Sequence, residues 1–216
     1  MAADEPAETG PTLGKDALLD AASMLFDEAG IDAVSLNEIV RASGHRNRSA
    51  IIYHFGSKDD VVRAVVERSM IGPDTRRSHL LDELLARDPN PVVSDVAAVV
   101  VGPLTELLDS ADGRRHLRLL GQLLGHPRLL ASARAALRGN GSLARCADLV
   151  IDELPHLPDD LKQERVALLV AFVMRAYGDQ ARLLDAAEPV RQPLSDEAFT
   201  SHLIGLILAI LGAPVP

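Results

Sequence analysis

The chain is poor in aromatic residues and in cysteine. It has no Trp, two Tyr and four Phe among 216 residues, so only 3% of it is aromatic. Its one cysteine, Cys146, rules out an intramolecular disulfide framework and fits a reducing compartment, and we expect it to be a small core residue. Leu, Ala and Val carry the apolar content instead, which favours helix. The sequence therefore predicts an all-α, cytoplasmic protein.

Long apolar runs and metal-ligand spacings are also missing. The longest apolar runs, 168–174 and 203–211, are far shorter than the roughly 20 residues of a membrane span. The acidic, Pro-containing segment 1–13 predicts a disordered tail rather than a signal peptide. The histidines lack zinc spacing, and the chain has no phosphate-loop, dinucleotide or nucleophile-elbow motif. We expect no metal, no cofactor, no catalytic residue and no membrane partner.

Positive charge is scarce overall, since the formal net charge is −9, and an acidic total argues against nucleic acid. One stretch, SGHRNRSAIIYHFGSK at 43–58, departs from this average because it contains Arg46, Arg48 and Lys58 and no Asp or Glu. A short basic face can bind phosphates if the acids lie elsewhere. This stretch is therefore a better indicator of nucleic-acid binding than the net charge is.

Helical spacing surrounds the basic stretch. Apolar residues recur every three or four positions from about Lys15 to Ala29, and Gly30 follows as a C-cap. Ser35 and Glu38 form a capping box that opens a second helix.

A third short helix follows a glycine turn. Gly44 supplies the turn, Asn47 or Ser49 can cap the next helix, and Gly56 ends it. Two short helices joined by a tight turn predict a helix-turn-helix, whose second helix can lie in the major groove of DNA.

Three motifs in this region resemble a known family. LLDAASMLFDEAG (18–30), SLNEIVRASG (35–44) and YHFGSKDDVV (53–62) are similar to the N-terminal domain of tetracycline-repressor (TetR) family regulators. The resemblance implies a helix-turn-helix DNA-binding domain over 14–72. We therefore expect a ligand-responsive repressor that binds a palindromic, double-stranded DNA operator as a homodimer.

The resemblance also implies which side chains meet DNA. They come from the cap of the second helix, the turn, the recognition helix and the start of the fourth helix: Ser35, His45, Arg46, Asn47, Arg48, Ser49, Ala50, Tyr53, His54 and Lys58. Ile51 and Phe55 would be core. The turn is one residue longer than in many members, and Ile52 stands where many carry a phosphate-contacting Tyr. Which of residues 45–48 reaches a base therefore stays open.

Pro73 and Asp74 predict a boundary, after which 73–216 is expected to form a helical effector-binding and dimerisation domain. Its last two helical segments are apolar around their circumference, so one side needs a partner, for which the simplest candidate is a second subunit. The expected interface residues are Leu168, Phe172, Arg175, Leu203, Leu206, Ile207 and Ile210.

Polar groups within apolar helices are the candidates for an effector pocket. These residues and their apolar neighbours are His116, Leu119, Gln122, Leu123, Met174 and Tyr177. A lining of this kind suits a small apolar or amphipathic molecule.

Two alternatives stay open at this point. The C-terminal region could dimerise or recruit proteins without binding a ligand. The chain could also be a helical enzyme or lipid-binding protein whose basic segment contacts an acidic substrate.

Overall fold

The computed structural model describes residues 11–45, 49–129, 131, 141–155 and 157–214. Within this part of the chain it contains α-helices and 3₁₀ turns and no β-strand. The α-helices are α1 (Pro11–Ala29), α2 (Leu36–Ala42), α3 (Ser49–Phe55), α4 (Lys58–Arg87), α5 (Val93–Glu106), α6 (Ala111–Gln122), α7 (Ser142–Asp152), α8 (Asp159–Asp185) and α9 (Asp196–Leu211). The predicted all-α class is confirmed.

The chain divides into two compact units, residues 1–65 and 66–216. In the first unit α1, α2 and α3 contact one another. Its core contains side chains with at most 3% exposure from each of its helices: Leu18, Ala22, Phe26, Ile39, Ile51, Val61, Val62 and Val65. This is the three-helix arrangement predicted around the basic stretch.

In the second unit α6 packs along α8, and α5 contacts α7, α8 and α9. One apolar cluster joins α4, α5 and α7 through Leu81, Leu84, Val96, Val99 and Cys146. Cys146 is 1% exposed, as predicted, and burial raises the pKa of its thiol to about 11. No helix among the described residues is both long and apolar enough to cross a bilayer.

The predicted break at Pro73 is wrong, because α4 continues through it to Arg87. A proline inside a helix removes one amide donor and costs about 3 kcal/mol. Tertiary packing offsets this cost, since Pro73 is itself buried and is followed on α4 by Arg77, Leu81 and Leu84, none more than 6% exposed. Helix α1 begins at Pro11, four residues before the predicted start.

Candidate nucleic-acid interface

The N-terminus of α2 is fixed by the predicted capping box. The Ser35 amide donates to Glu38 Oε2 at 2.7 Å, and the Glu38 amide donates to Ser35 Oγ at 3.3 Å. Hydrogen bonding from the Ser35 hydroxyl is the main cause that lowers the pKa of Glu38. Ser35 is exposed, and its hydroxyl is engaged in the cap, where it donates to Glu38 Oε2 at 2.7 Å.

The turn after α2 is built around Gly44, whose φ of +77° is favourable for glycine and strained for other residues. The Ser43 hydroxyl donates to the Val40 carbonyl at 2.9 Å and also hydrogen-bonds His45 Nδ1 at 2.9 Å. The turn therefore holds His45 directly before the recognition segment. Arg46, Asn47 and Arg48, which were predicted to reach DNA, lie outside the described residues.

Helix α3 presents one buried and one exposed side. Ile51 is 1% exposed and anchors the helix in the core, whereas Tyr53 is 85% exposed and Ile52 is 43% exposed. Ser49 is also exposed, while Ala50 and His54 are half-buried. The phenol of Tyr53 therefore lies on the exposed side of the described recognition helix.

The core role predicted for Phe55 is only partly met, since its ring is half-buried. Lys15 of α1 places Nζ 5.8 Å from the centroid of this ring. A cation over an aromatic face is attracted by the quadrupole of the ring. Sequence spacing could not show that α1 adds a cation beside the recognition helix.

Lys58 begins α4, and its Nζ donates to the Asp32 carbonyl at 3.0 Å, across the α1–α2 loop. Beside it the Ser57 hydroxyl donates to Asp60 Oδ2 at 2.5 Å, which is the main cause that lowers the pKa of Asp60. In this unit, Lys15, Arg41 and Lys58 form no ion pair with a described carboxylate, while Glu38 and Asp60 are held in helix caps. The basic groups are therefore available to an external anion.

The residues predicted to line an effector pocket fall into two groups. His116 and Leu119 of α6, and Leu123 in the 3₁₀ turn that follows it, are at most 8% exposed, and Tyr177 of α8 is 1% exposed. Gln122 and Met174 are half-buried. Burial is the main cause that lowers the pKa of His116 to about 4, helped by the charges of Arg68 and Arg115. Its Nε2 is buried and has no hydrogen-bond partner among the described residues. His116 is thus a neutral polar group within the second unit.

Tyr177 has its hydrogen-bond partners within the chain. Its hydroxyl lies 3.0 Å from the Val101 carbonyl and 2.7 Å from Thr105 Oγ1, which in turn lies 2.8 Å from Thr200 Oγ1. The ring packs edge-on against Phe199. Burial raises the pKa of Tyr177 to about 12. This network joins α5, α8 and α9, and it accounts for the buried phenol without a ligand.

Two polar residues with long side chains that sequence reasoning missed are buried in the second unit. Arg77 is 1% exposed and Gln180 is 0% exposed. Gln180 Nε2 donates to the Leu194 carbonyl at 2.9 Å, while its Oε1 has no partner among the described residues. Neither residue lies in a sequence motif, and their partners are distant along the chain, so local patterning gave no signal for them.

The predicted dimer residues also divide into buried and exposed sets. Leu203 and Ile207 of α9 are 2% and 6% exposed, so they belong to the core of the single chain. Phe172 and Ile210 are half-buried, and Arg175 is exposed and donates to Asp179. Leu168 remains 54% exposed and Leu206 37% exposed. Of the predicted interface residues, Leu168, Arg175 and Leu206 are therefore the ones left exposed on the single chain.

The described residues contain no group of three or more His, Cys, Asp or Glu side chains that could hold a metal ion. What the first unit does contain is a capped helix, a glycine turn and a short helix with an exposed tyrosine. Lys15, Arg41 and Lys58 accompany these features and make no ion pair within the described residues. This arrangement can present donors to phosphates and base edges.

Comparison with known proteins agrees with this geometry. Residues 18–65 match the family model of bacterial regulatory proteins of the tetR family, and 98–209 match that of the tetracyclin repressor-like C-terminal domain. The chain is 27% identical over 168 residues to the HTH-type transcriptional regulator AcrR of Shigella flexneri, covering 74% of this chain and 72% of that protein.

Solved structures share the fold. NalD, the secondary repressor of the MexAB-OprM multidrug efflux pump in Pseudomonas aeruginosa, superposes with a TM-score of 0.62 at 19% identity, over 92% of this chain and 96% of that one. The fatty acid degradation regulator FadR from Bacillus halodurans gives 0.54 at 16% identity, over 95% and 97%. With two family models together spanning most of its length, the chain belongs to the TetR family of DNA-binding transcriptional regulators and is not an enzyme.

Proposed function

We propose that the protein is a homodimeric repressor that holds a palindromic operator and releases it when an effector binds. The observation that carries the DNA-binding part of this proposal is the two-sided α3, with Ile51 buried and Tyr53 85% exposed. A short helix fixed by its inner face can enter a major groove with its outer face. We expect the protein to act in the cytoplasm, where bacterial operators are found.

The DNA contacts that we propose combine described and sequence-predicted residues. Tyr53, His54 and Ser49 of α3 would contact the operator together with Arg46, Asn47 and Arg48. Lys58 would contact a phosphate after leaving the Asp32 carbonyl, since this single hydrogen bond is exposed. The neighbouring carboxylates of Glu38 and Asp60 stay charged, but they accept hydrogen bonds in helix caps, and neither forms an ion pair with Lys58 in the described part of the chain.

A two-fold dimer would bring two recognition helices to successive half-sites, about 34–36 Å apart. We propose that the outer faces of α8 and α9 form this interface. It centres on Leu168 and Leu206, and the adjacent Gly205 and Ala209 are also exposed, so a partner helix could approach closely.

Effector binding is supported by a buried polar atom that has no hydrogen-bond partner within the described residues. This atom is Nε2 of His116, one of the residues predicted to line a pocket. A ligand that prefers the non-operator-binding conformation would shift the population toward it. A region that only dimerises would have no need for such unsatisfied groups, each of which costs about 1–3 kcal/mol.

The DNA assignment is tested by removing side chains of the recognition segment. We expect Arg48→Ala and Tyr53→Ala each to weaken binding to a genomically selected operator about tenfold. Arg48→Ala should also lower the salt slope by about 1, because one phosphate contact is lost. Arg76→Ala is the matched control, since Arg76 pairs with Glu106 in the second unit at 3.0 Å. Unchanged affinity of both recognition-segment variants, with native circular dichroism, would refute the proposal.

A further inference from the structure

His45 lies in the turn between α2 and α3, and its side chain is half-buried. Its amide donates to the Val40 carbonyl at 3.2 Å. Its Nδ1 lies 2.9 Å from the Ser43 hydroxyl oxygen, and the same hydroxyl donates to the Val40 carbonyl at 2.9 Å. Both the backbone and the ring of His45 are therefore tied to the C-terminal end of α2.

These hydrogen bonds determine which nitrogen of the ring carries the proton. A carbonyl oxygen can only accept, so the single hydroxyl hydrogen of Ser43 is used in its bond to Val40. The Ser43 oxygen must then accept from Nδ1 of His45, which places the proton of the neutral imidazole on Nδ1. Nε2 is left as an acceptor, and an acceptor cannot donate to a phosphate oxygen.

The other edge of the His45 ring faces α1. A Cβ on Gly14 would lie 3.1 Å from Nε2 of His45 and 3.9 Å from its Cε1, so an added side chain would have to displace the ring. The backbone of Gly14 is not left-handed, and another residue could adopt it. The missing side chain at Gly14 therefore makes room for His45.

The next residue of α1 contacts the opposite end of α3. Lys15 Nζ lies 5.8 Å from the centroid of the Phe55 ring, the last residue of that helix. Helix α3 has only seven residues, too few to be stable in isolation, so its orientation depends on its neighbours. Ile51 fixes its inner face, while Gly14 and Lys15 contact the residues near its two ends.

We propose that His45 is a positioning residue for operator binding and not a DNA contact. Held between Ser43 and Gly14, its ring sets the direction in which α3 enters the major groove. Without the ring, α3 can pivot about Ile51, and Tyr53 no longer meets its partner on the operator. The inference rests on the proposed operator binding. Specific binding should suffer, whereas attraction to phosphates in general should remain.

Substitution His45→Ala in the full chain is compared on a genomically selected operator and on an unrelated duplex of equal length. We expect about tenfold weaker operator binding, roughly the loss of one hydrogen bond, with unchanged affinity for the unrelated duplex and an unchanged salt slope. His79→Ala is the matched control, because His79 is exposed in the second unit. Wild-type operator affinity of His45→Ala, or a salt slope lower by about 1 as for a direct phosphate contact, would overturn the inference.

A double-mutant cycle with Gly14 tests the contact between α1 and the ring. Gly14→Ala pushes a methyl group against His45 and should weaken operator binding about threefold, whereas in the His45→Ala background it should have no effect. A loss that is equal in the two backgrounds would show that the two residues act independently, and the proposed role would be wrong.

A measurement on the wild type covers the case in which these variants fail to fold. Long-range ¹H–¹⁵N correlation of the imidazole, recorded at mildly alkaline pH, should show the His45 proton on Nδ1 both with and without operator. Histidine in water carries it mainly on Nε2, so a proton on Nε2 of His45 contradicts the inference. If the wild type binds the operator and His45→Ala binds it equally well, the positioning role fails alone. If the wild type binds no operator, the proposed function fails and the inference with it.

Discussion

Gly44 in the first unit and Gly113 in the second show two different uses of glycine. Gly44 has a φ of +77°, and a Cβ placed on it would meet nothing within 4 Å. Gly113 has no left-handed backbone, but a Cβ there would overlap the Leu107 carbonyl oxygen. The first unit therefore uses Gly44 to turn the chain, whereas the second uses Gly113 to bring backbone segments together.

The same contrast extends to the other stabilising contacts. Short helices of the first unit depend on local caps, such as the one between Ser35 and Glu38. The second unit depends on contacts that are distant in sequence. A Cβ on Gly178 of α8 would lie 3.2 Å from the Leu117 carbonyl oxygen of α6, so these helices approach closely. Local and long-range stabilisation should respond differently to substitution.

The charges of the two units differ as well. In the second unit arginines pair with carboxylates: Arg114 and Arg118 both bind Asp185, and Arg145 binds Asp82. In the first unit Lys15 and Arg41 make no ion pair with a described carboxylate, although Arg63 binds Asp60. The two units thus differ in how these cations are placed, since the arginines named in the second unit are paired with carboxylates and Lys15 and Arg41 of the first are not.

The largest expected effect comes from Gly113→Ala. The new methyl group would overlap a backbone oxygen that cannot rotate away, so we expect a loss of about 3 kcal/mol or more in the free energy of unfolding. Gly102→Ala is the matched control, because its Cβ would meet only Leu80 Cδ1 at 3.9 Å and alanine favours helix by about 1 kcal/mol. Urea titration compares both with the wild type. Equal stability of the two variants would contradict the close packing at Gly113.

Gly205→Glu is expected to have an intermediate effect, on association and not on folding. Gly205 is exposed on α9, and a Cβ there meets nothing within 4 Å of the single chain. If a partner subunit covers this face, a buried charge should raise the dimer dissociation constant at least tenfold, as measured by analytical ultracentrifugation.

Gly72→Glu is the matched control for this association, because Gly72 is an exposed glycine inside α4 with equally open surroundings. Both variants should keep the wild-type helical content. If Gly205→Glu dimerises as the wild type does, the interface does not include the exposed face of α9 at Gly205.

Local features of the first unit could be predicted from the sequence, because each depends on residues a few positions apart. The capping box at Ser35 and the left-handed Gly30 are confirmed. In contrast, the continuation of α4 through Pro73 is a tertiary effect that overrides a local rule. Apolar periodicity marked Leu203 and Leu206 alike and could not show that the first is core and the second surface.

The buried polar residues of the second unit could be predicted only in part, because some of their contacts are to residues distant in the sequence. His116 stood out as a polar residue in an apolar helix, and it is buried. Arg77 did not stand out, because its hydrogen-bond partners Val100 and Ser142 lie 23 and 65 residues away. Long-range pairing of this kind requires the fold.

The smallest expected effect comes from Gly44→Ala, which tests whether the first unit is stabilised by local turns. Because no atom obstructs the new Cβ, the cost is the left-handed backbone alone, about 1–2 kcal/mol. Gly44→Asn is the matched control and should cost less, since Asn tolerates this conformation better. Urea titration of both variants measures the difference. A loss as large as that of Gly113→Ala, or equal losses for Ala and Asn, would show that packing against Gly44 matters and that the first unit is not stabilised by local turns alone.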